Sequence, residues 1–260
     1  MSRTRIAALQ MVSAPELAPN LEAAARLVAA AAAAGARLAA LPENFYCIGR
    51  TERDKLALRE PDGKGPIQDF LSSLSKKLKI WIVGGTVPIS CADESRIRSA
   101  CLVYDDAGMR VARYDKMHLF RFERGEERYD ESRTLEPGTG AVAVASPFGR
   151  LALSVCYDVR FPELYRALGN FDVMFVPSAF TVPTGAAHWE TLLRSRAIEN
   201  QAYVVAPAQG GLHPGGRRTY GHSMIVDPWG EVLGVRPEGE GVLLAEIDLE
   251  RVRQVRESFQ

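Results

Sequence analysis

Cysteine and histidine are sparse, four of each in 260 residues. The cysteines (Cys47, Cys91, Cys101, Cys156) form no C-x-x-C pair and are too few for a disulfide framework in a chain of this size, which points to a reduced, cytoplasmic setting. The histidines (His118, His188, His213, His222) show neither H-x-H nor H-E-x-x-H spacing, so no metal is expected. An excess of one charge is also missing. The 32 basic and 32 acidic residues balance, leaving no footprint for nucleic acid or an anionic membrane. Long apolar runs are absent too: Arg26 interrupts the alanine-rich stretch 23–34, which falls short of a membrane span. Ile6–Met11 is too short for a secretory signal core and is broken by Gln10. The glycine-rich words "GKG" (63–65) and "GGRRTYG" (215–221) lack the G-x-x-x-x-G-K-[ST] phosphate cradle. What remains is a small neutral or zwitterionic ligand, with no cofactor.

The chain that is present is 47% hydrophobic and 25% charged, an ordinary globular balance with enough residues for a sizeable core. No internal repeat or linker divides it, so a single domain over 1–260 is expected. Strands are expected at 6–10, 38–41, 80–87, 100–104, 110–114, 141–145, 151–155, 173–176, 203–208, 223–227 and 242–247. Helices are expected at 20–34 (with Asn20 as N-cap), 67–78, 162–168 and 188–200. Residues 117–140 show no clear period and read as a long functional loop. Strand–helix alternation with hairpins argues α/β architecture, and so many strands argue two packed sheets flanked by helices. In such folds chemistry collects beyond the carboxyl ends of strands.

Three residues stand at strand ends. In "LALSVCYDVRFPE" (151–163) a buried-looking strand stops at Cys156, and charge follows at once. A cysteine there, just before a helix, has backbone N–H groups and a helix dipole to favour its thiolate. Glu43 follows Leu41-Pro42, where an apolar pocket would raise its pKa toward general-base work. Lys116 follows Arg113-Tyr114-Asp115; its ammonium could lower the thiol's pKa or bind an oxyanion. Taken singly, each has an ordinary reading as a buried thiol, a helix-start carboxylate or a solvated turn lysine.

Taken together, "LPENF" (41–45), "YDKMHLF" (114–120) and "CYDVRFPELYR" (156–166) resemble the Glu–Lys–Cys signatures of the nitrilase superfamily of carbon–nitrogen hydrolases. "PSAF" (177–180) and "HWETLLRSRAIENQAYVVAPAQ" (188–209) extend the resemblance over nearly the whole chain. It implies a four-layer αββα sandwich of two mixed β-sheets, assembled as a homodimer or higher homo-oligomer, and metal-free chemistry. It also implies a second glutamate after the lysine, for which Glu131 in "YDESRTLEPG" fits better than Glu123, Glu126 or Glu127. The implied mechanism has Glu43 deprotonate Cys156 for attack on an amide carbonyl. Lys116 and the backbone N–H of Tyr157 hold the oxyanion, and a thioester is then hydrolysed.

The word after the cysteine is "CYDVRFPE", not the Cys-Trp-Glu of nitrilases proper. It resembles amidases acting on 2-oxo acids: those of deaminated glutathione first, which "AQGGLHPGGRRTYGHSMIVDPWGEV" (208–232) also resembles, and ω-amidases of 2-oxoglutaramate second. An N-carbamoyl amidase, a nitrilase or a thiol redox protein on the same fold ranks behind these. Such a substrate is anionic, so Arg160, Arg217 and Arg218 are candidate carboxylate readers, Arg160 competing with a structural pairing to Glu163 or Asp158. Tyr46, Phe180 and His188 are further candidates for the substrate pocket. The chain ends at "VRQVRESFQ", short of the segment with which relatives usually continue.

Overall fold

Along the strand Thr4–Gln10 the side chains alternate between two cores. Ile6 and Ala8 point into the core between the sheets, while Ala7 and Leu9 pack beneath helices. Leu38 and Ala40 repeat the first role and Ala39 the second in the strand Leu38–Ala40. A strand covered on both faces needs apolar residues at every position, which is why these segments read as continuous runs.

The computed structural model describes residues 3–124 and 127–259, without the side chains of Arg124 and Glu127. Two of the carboxylates weighed against Glu131, those of Glu126 and Glu127, therefore lie outside the described residues. The first sheet runs in the order Gly241–Ile247, Thr4–Gln10, Leu38–Ala40, Trp81–Val83 and Ile97–Tyr104. Ile97–Tyr104 carries Trp81–Val83 and Val87–Ser90 along one edge and Arg110–Asp115 along the other. The second sheet runs Val232–Arg236, Ser223–Val226, Tyr203–Ala206, Val173–Phe175, Gly149–Leu153 and Val142–Ser146. Both sheets hold three parallel strands flanked by antiparallel ones. Helices Leu17–Ala33 and Pro66–Leu78 cover the first sheet, and Val182–Asn200 packs with the second. The result is the αββα order that the resemblance implies.

Several boundaries differ from the expectations. Asn20 does not cap a helix; it sits inside Leu17–Ala33, where its buried amide bonds Ala14 N–H, Ala14 C=O and Tyr46 C=O. The segment 117–140 is not structureless: Arg121–Arg124 and Glu127–Asp130 form a hairpin whose polar sequence hides its period. Helix Val182–Asn200 begins six residues before His188. Pro183 is tolerated in a first turn, and Gly185 serves close packing, since a Cβ there would lie 2.2 Å from the Tyr220 ring. The hairpin Gly210–Leu212/Arg218–Tyr220, the strand Val232–Arg236 and the helix Leu249–Ser258 had no clear sequence signal.

The expected strand 80–87 breaks in two at Gly84-Gly85-Thr86, and the break shapes the site. Gly85 has φ +56°, and a Cβ on it would lie 2.1 Å from the Pro42 carbonyl oxygen. Thr86 Oγ1 accepts the Asn44 N–H at 2.9 Å, holding the turn that carries Glu43. Gly85→Ala combines a disfavoured φ with a backbone clash and should cost about 2 kcal/mol or more, lowering the thermal midpoint by roughly 4–8 °C. A melt indistinguishable from the parent protein would contradict this reading.

Candidate functional site

Glu43, Lys116 and Cys156 come from three separate loops and meet at one end of the sandwich. Lys116 continues the strand Arg110–Asp115: its N–H donates to Ser99 C=O at 3.0 Å and its C=O accepts from Gly138 N–H at 2.8 Å. With its backbone tied at both ends, its side chain is buried with 1% exposure. The ammonium donates to Glu43 Oε1 at 2.8 Å and to Glu131 Oε1 and Oε2 at 2.9 and 2.8 Å. Glu131 is fixed in turn by the Phe120 N–H, which donates to its Oε2 at 2.7 Å. Burial alone would favour the neutral amine, but Glu131, Glu43 and Cys156 outweigh it and hold the lysine pKa well above its usual range. Glu131 thus joins the site, whereas Glu123 lies at the surface paired with Arg128. Glu43, expected in an apolar pocket, instead faces a cation.

Cys156 opens a short 3₁₀ turn, Cys156–Arg160, with φ +51°, a strained position for a side chain other than glycine. Its N–H donates to Pro177 C=O at 2.9 Å, and the bend aims the sulfur toward the lysine and its carboxylates. The surroundings of the thiol run against the favoured thiolate that its strand-end position suggests. Burial comes first and the two carboxylates add to it, so the thiol pKa rises well above its usual value despite Lys116 and the Ala179 N–H. One ammonium faces two carboxylates, and a thiolate would be a third anion there. The next N–H, that of Tyr157, makes no hydrogen bond among the described residues and is free for an incoming oxygen.

A small cleft opens onto Cys156, lined by Phe120, Tyr157, Arg160, Phe180 and Thr184 among others. Arg160 pairs with neither Glu163 nor Asp158. Its guanidinium sits 5.6 Å from the Tyr157 ring and 5.5 Å from that of Phe180, with Nη2 3.2 Å from His188 Nδ1, and its buried Nε has no partner. Phe180 is held by Trp189 at 4.7 Å between ring centroids. His188 is exposed and reaches the cleft only through Arg160. Tyr46 lies buried where the charge of Glu43 acts on its phenol, not in the cleft wall; burial above all raises its pKa. Arg217 bonds Glu52 Oε1 at 3.0 Å outside this cleft, and Arg218 makes a surface pair with Glu238. Among the described residues no group of three His, Cys, Asp or Glu side chains could hold a metal ion.

The residue that sequence reasoning passed over is Asp158. Fully buried, its Oδ2 accepts Tyr114 O–H at 2.7 Å and Val155 N–H at 2.8 Å. Its Oδ1 accepts His118 N–H at 2.9 Å and meets His118 Nδ1 at 2.8 Å, the ring stacking on Phe161 at 3.7 Å. One carboxylate therefore joins the residue before Cys156 to residues on both sides of Lys116. Its signal was an acid two residues after a cysteine, indistinguishable in sequence from a partner for Arg160. In Asp158→Asn the amide nitrogen must face a backbone N–H on one side or the other. We expect kcat to fall at least about tenfold with KM little changed, beyond any loss of folded protein. Unchanged turnover per folded molecule would show the brace to be structural only.

Comparison with known proteins agrees with this geometry. Residues 5–257 match the family model described as carbon-nitrogen hydrolase. A deaminated glutathione amidase of Synechocystis is 43% identical over 97% of this chain and 94% of its own. The human protein of that name is 42% identical over 96% of this chain and 79% of its own. The crystal structure of Saccharomyces cerevisiae Nit3, titled a member of branch 10 of the nitrilase superfamily, superposes with a TM-score of 0.86 at 30% identity, covering 99% of this chain and 94% of that one. With a family model spanning nearly its whole length and relatives above 40% identity, the chain belongs to the carbon–nitrogen hydrolase family, within the nitrilase superfamily.

Proposed function

We propose that this hydrolase is a cysteine amidase that cleaves deaminated glutathione at the amide of its 2-oxo acid portion, with Glu43, Lys116, Cys156 and Glu131 as its catalytic set. The observation that carries the chemistry is the Lys116 ammonium gripped by two carboxylates beside a buried thiol, whose pKa burial and those carboxylates raise. A protonated nucleophile needs a base, and Glu43 is the carboxylate bound to Lys116 through one oxygen only. As sulfur attacks the carbonyl carbon, the thiol proton passes to Glu43. The carbonyl oxygen becomes an oxyanion between Lys116 Nζ and the Tyr157 N–H. Collapse breaks the carbon–nitrogen bond, and Glu43 returns its proton to the leaving amine. Water then attacks the thioester, giving its proton to Glu43, and the thiol is restored as the acid product leaves. Glu131 keeps Lys116 in place throughout.

The relatives named deaminated glutathione amidase and the placement of Arg160 support the substrate reading. An arginine in the cleft with a buried, unpartnered Nε is suited to grip the 2-oxo acid carboxylate. The family match over 5–257 and cores shared across both sheets support one domain over 1–260. Four free cysteines favour a reducing, cytoplasmic setting, and no described helix is long and apolar enough to cross a membrane. A homo-oligomer is in keeping with the exposed pair Trp229 and Phe259.

Amine release from deaminated glutathione, 2-oxoglutaramate and a simple nitrile, compared by kcat/KM, tests the proposal. Deaminated glutathione should lead; a preference for 2-oxoglutaramate would make the protein an ω-amidase, and preference for the nitrile would overturn both. Cys156→Ala should abolish turnover and the thioester adduct seen by mass spectrometry. Arg160→Met should lower kcat/KM on 2-oxo acid amides about 10- to 100-fold, the worth of a charge-assisted hydrogen bond.

A further inference from the structure

The cleft holding Cys156 has a larger neighbour. A second cleft, the outer one, is lined by Glu52, Arg53, Arg121, Phe122, Tyr129 and Thr134 among others, beside the paired strands Arg121–Arg124 and Glu127–Asp130. The two share a wall. Phe120 lines the inner cleft and packs on Tyr157 at 5.4 Å; on its other side it meets Phe122 at 5.9 Å and Tyr129 at 5.8 Å, both of the outer cleft.

An arginine stands at each end of this aromatic band. Arg160 lies over Tyr157 on the inner side, and Arg217 lies over Tyr129 at 5.1 Å, joined to the outer cleft through Tyr129 and Glu52, which line it. Four buried side-chain polar atoms lack a partner among the described residues: Arg160 Nε, Arg217 Nε, Thr134 Oγ1 and Arg236 Nε. The first three belong to these two clefts or their arginines, where a ligand could satisfy them. Arg217 spends Nη1 on Glu52 and leaves the Nε–Nη2 edge, the fork that grips a carboxylate through two bonds.

The charge around the outer cleft favours an anion. Lys55 binds Glu52 at 2.9 Å and, with Arg217, holds it ionised, its pKa drawn down to about 2; Glu52 is thus countered twice. Glu123 is paired with Arg128 and Asp130 with Arg133. Arg53 and Arg121 have no carboxylate within 4.0 Å among the described residues.

We propose that the outer cleft is a subsite for the carboxylate of the leaving amine, with Arg217 as its principal reader. The inference rests on the amidase reading above and deepens it. Deaminated glutathione carries a carboxylate at each end, one on the 2-oxo acyl portion and one on the departing cysteinylglycine. An extended dipeptide spans about 7 Å, more than the 5.4 to 5.9 Å that separates Phe120 from the rings packed on it, enough to carry the departing end past Phe120 toward Tyr129. Cleavage of 2-oxoglutaramate releases only ammonia, which leaves this subsite empty. Arg160 therefore reads the acyl end shared by both substrates, and Arg217 reads the end that distinguishes them.

The test changes the substrate before the protein. kcat/KM is measured for deaminated glutathione and for its analogue with the glycine carboxylate converted to a carboxamide. The parent enzyme should prefer the acid by about 10- to 100-fold, and Arg217→Met should bring that ratio close to one, while Arg217→Lys keeps part of it. Because both substrates meet the same preparation, partial unfolding cancels in the ratio. A ratio near one in the parent, or an undiminished ratio in Arg217→Met, overturns the subsite and leaves the amidase reading intact. Failure of the parent to cleave either compound overturns both.

Discussion

Everything at this site depends on one buried ammonium between two carboxylates. An isolated charge this deep costs several kcal/mol in lost hydration, and burial alone would favour the neutral amine of Lys116. Lys116, Glu43 and Glu131 together form a cluster in which each charge is paid for by another. The cluster carries one negative charge in excess, which has a direct chemical consequence. It resists a further anion, which with burial raises the Cys156 pKa; in the proposed mechanism the sulfur becomes a nucleophile only as its proton leaves for a carboxylate. Many cysteine enzymes instead keep a low-pKa thiolate next to a cation. Here the proposed base, Glu43, and the cation touch each other at 2.8 Å.

Such a cluster demands accuracy from loops that belong to different strands. The fold supplies it with backbone hydrogen bonds and one buried brace. Lys116 is held by Ser99 and Gly138, Glu43 by a turn anchored on Thr86, and Glu131 by the Phe120 N–H at the root of a hairpin. Asp158 then ties the cysteine turn to the lysine loop from below. Glu131 directly follows the strand Glu127–Asp130, whose Tyr129 packs on Phe120 between the two clefts, so the group that steadies the lysine and part of the cleft wall belong to one stretch of chain.

Much of this was legible in the sequence, for identifiable reasons. Strands covered on both faces are apolar throughout, so Thr4–Gln10 and Leu38–Ala40 announced themselves within a few residues. The catalytic candidates stood at strand ends inside words that match a known family, and Glu131 was separable from its acidic neighbours by the Pro137-Gly138 that follows. The strands Arg121–Arg124 and Glu127–Asp130 were not legible, because they are short and mostly charged, with a single aromatic in each. The thiol's protonation state was not legible either. Strand-end position and a nearby lysine argued for a thiolate, whereas the answer lay in the count of charges that only three-dimensional proximity provides. Asp158 was hidden for the same reason: its partners Tyr114 and His118 lie 44 and 40 residues away in sequence.

The central claim is that the excess negative charge around Lys116 keeps Cys156 protonated. Titration of the thiolate by its ultraviolet absorbance, taken as the difference between the parent protein and Cys156→Ala, measures this directly. An apparent thiol pKa above the ordinary cysteine range is predicted for the parent, and a lower one for Glu43→Gln, which removes one of the two carboxylate charges. A parent value below about 8, or a Glu43→Gln value equal to or higher than that of the parent, would contradict the account.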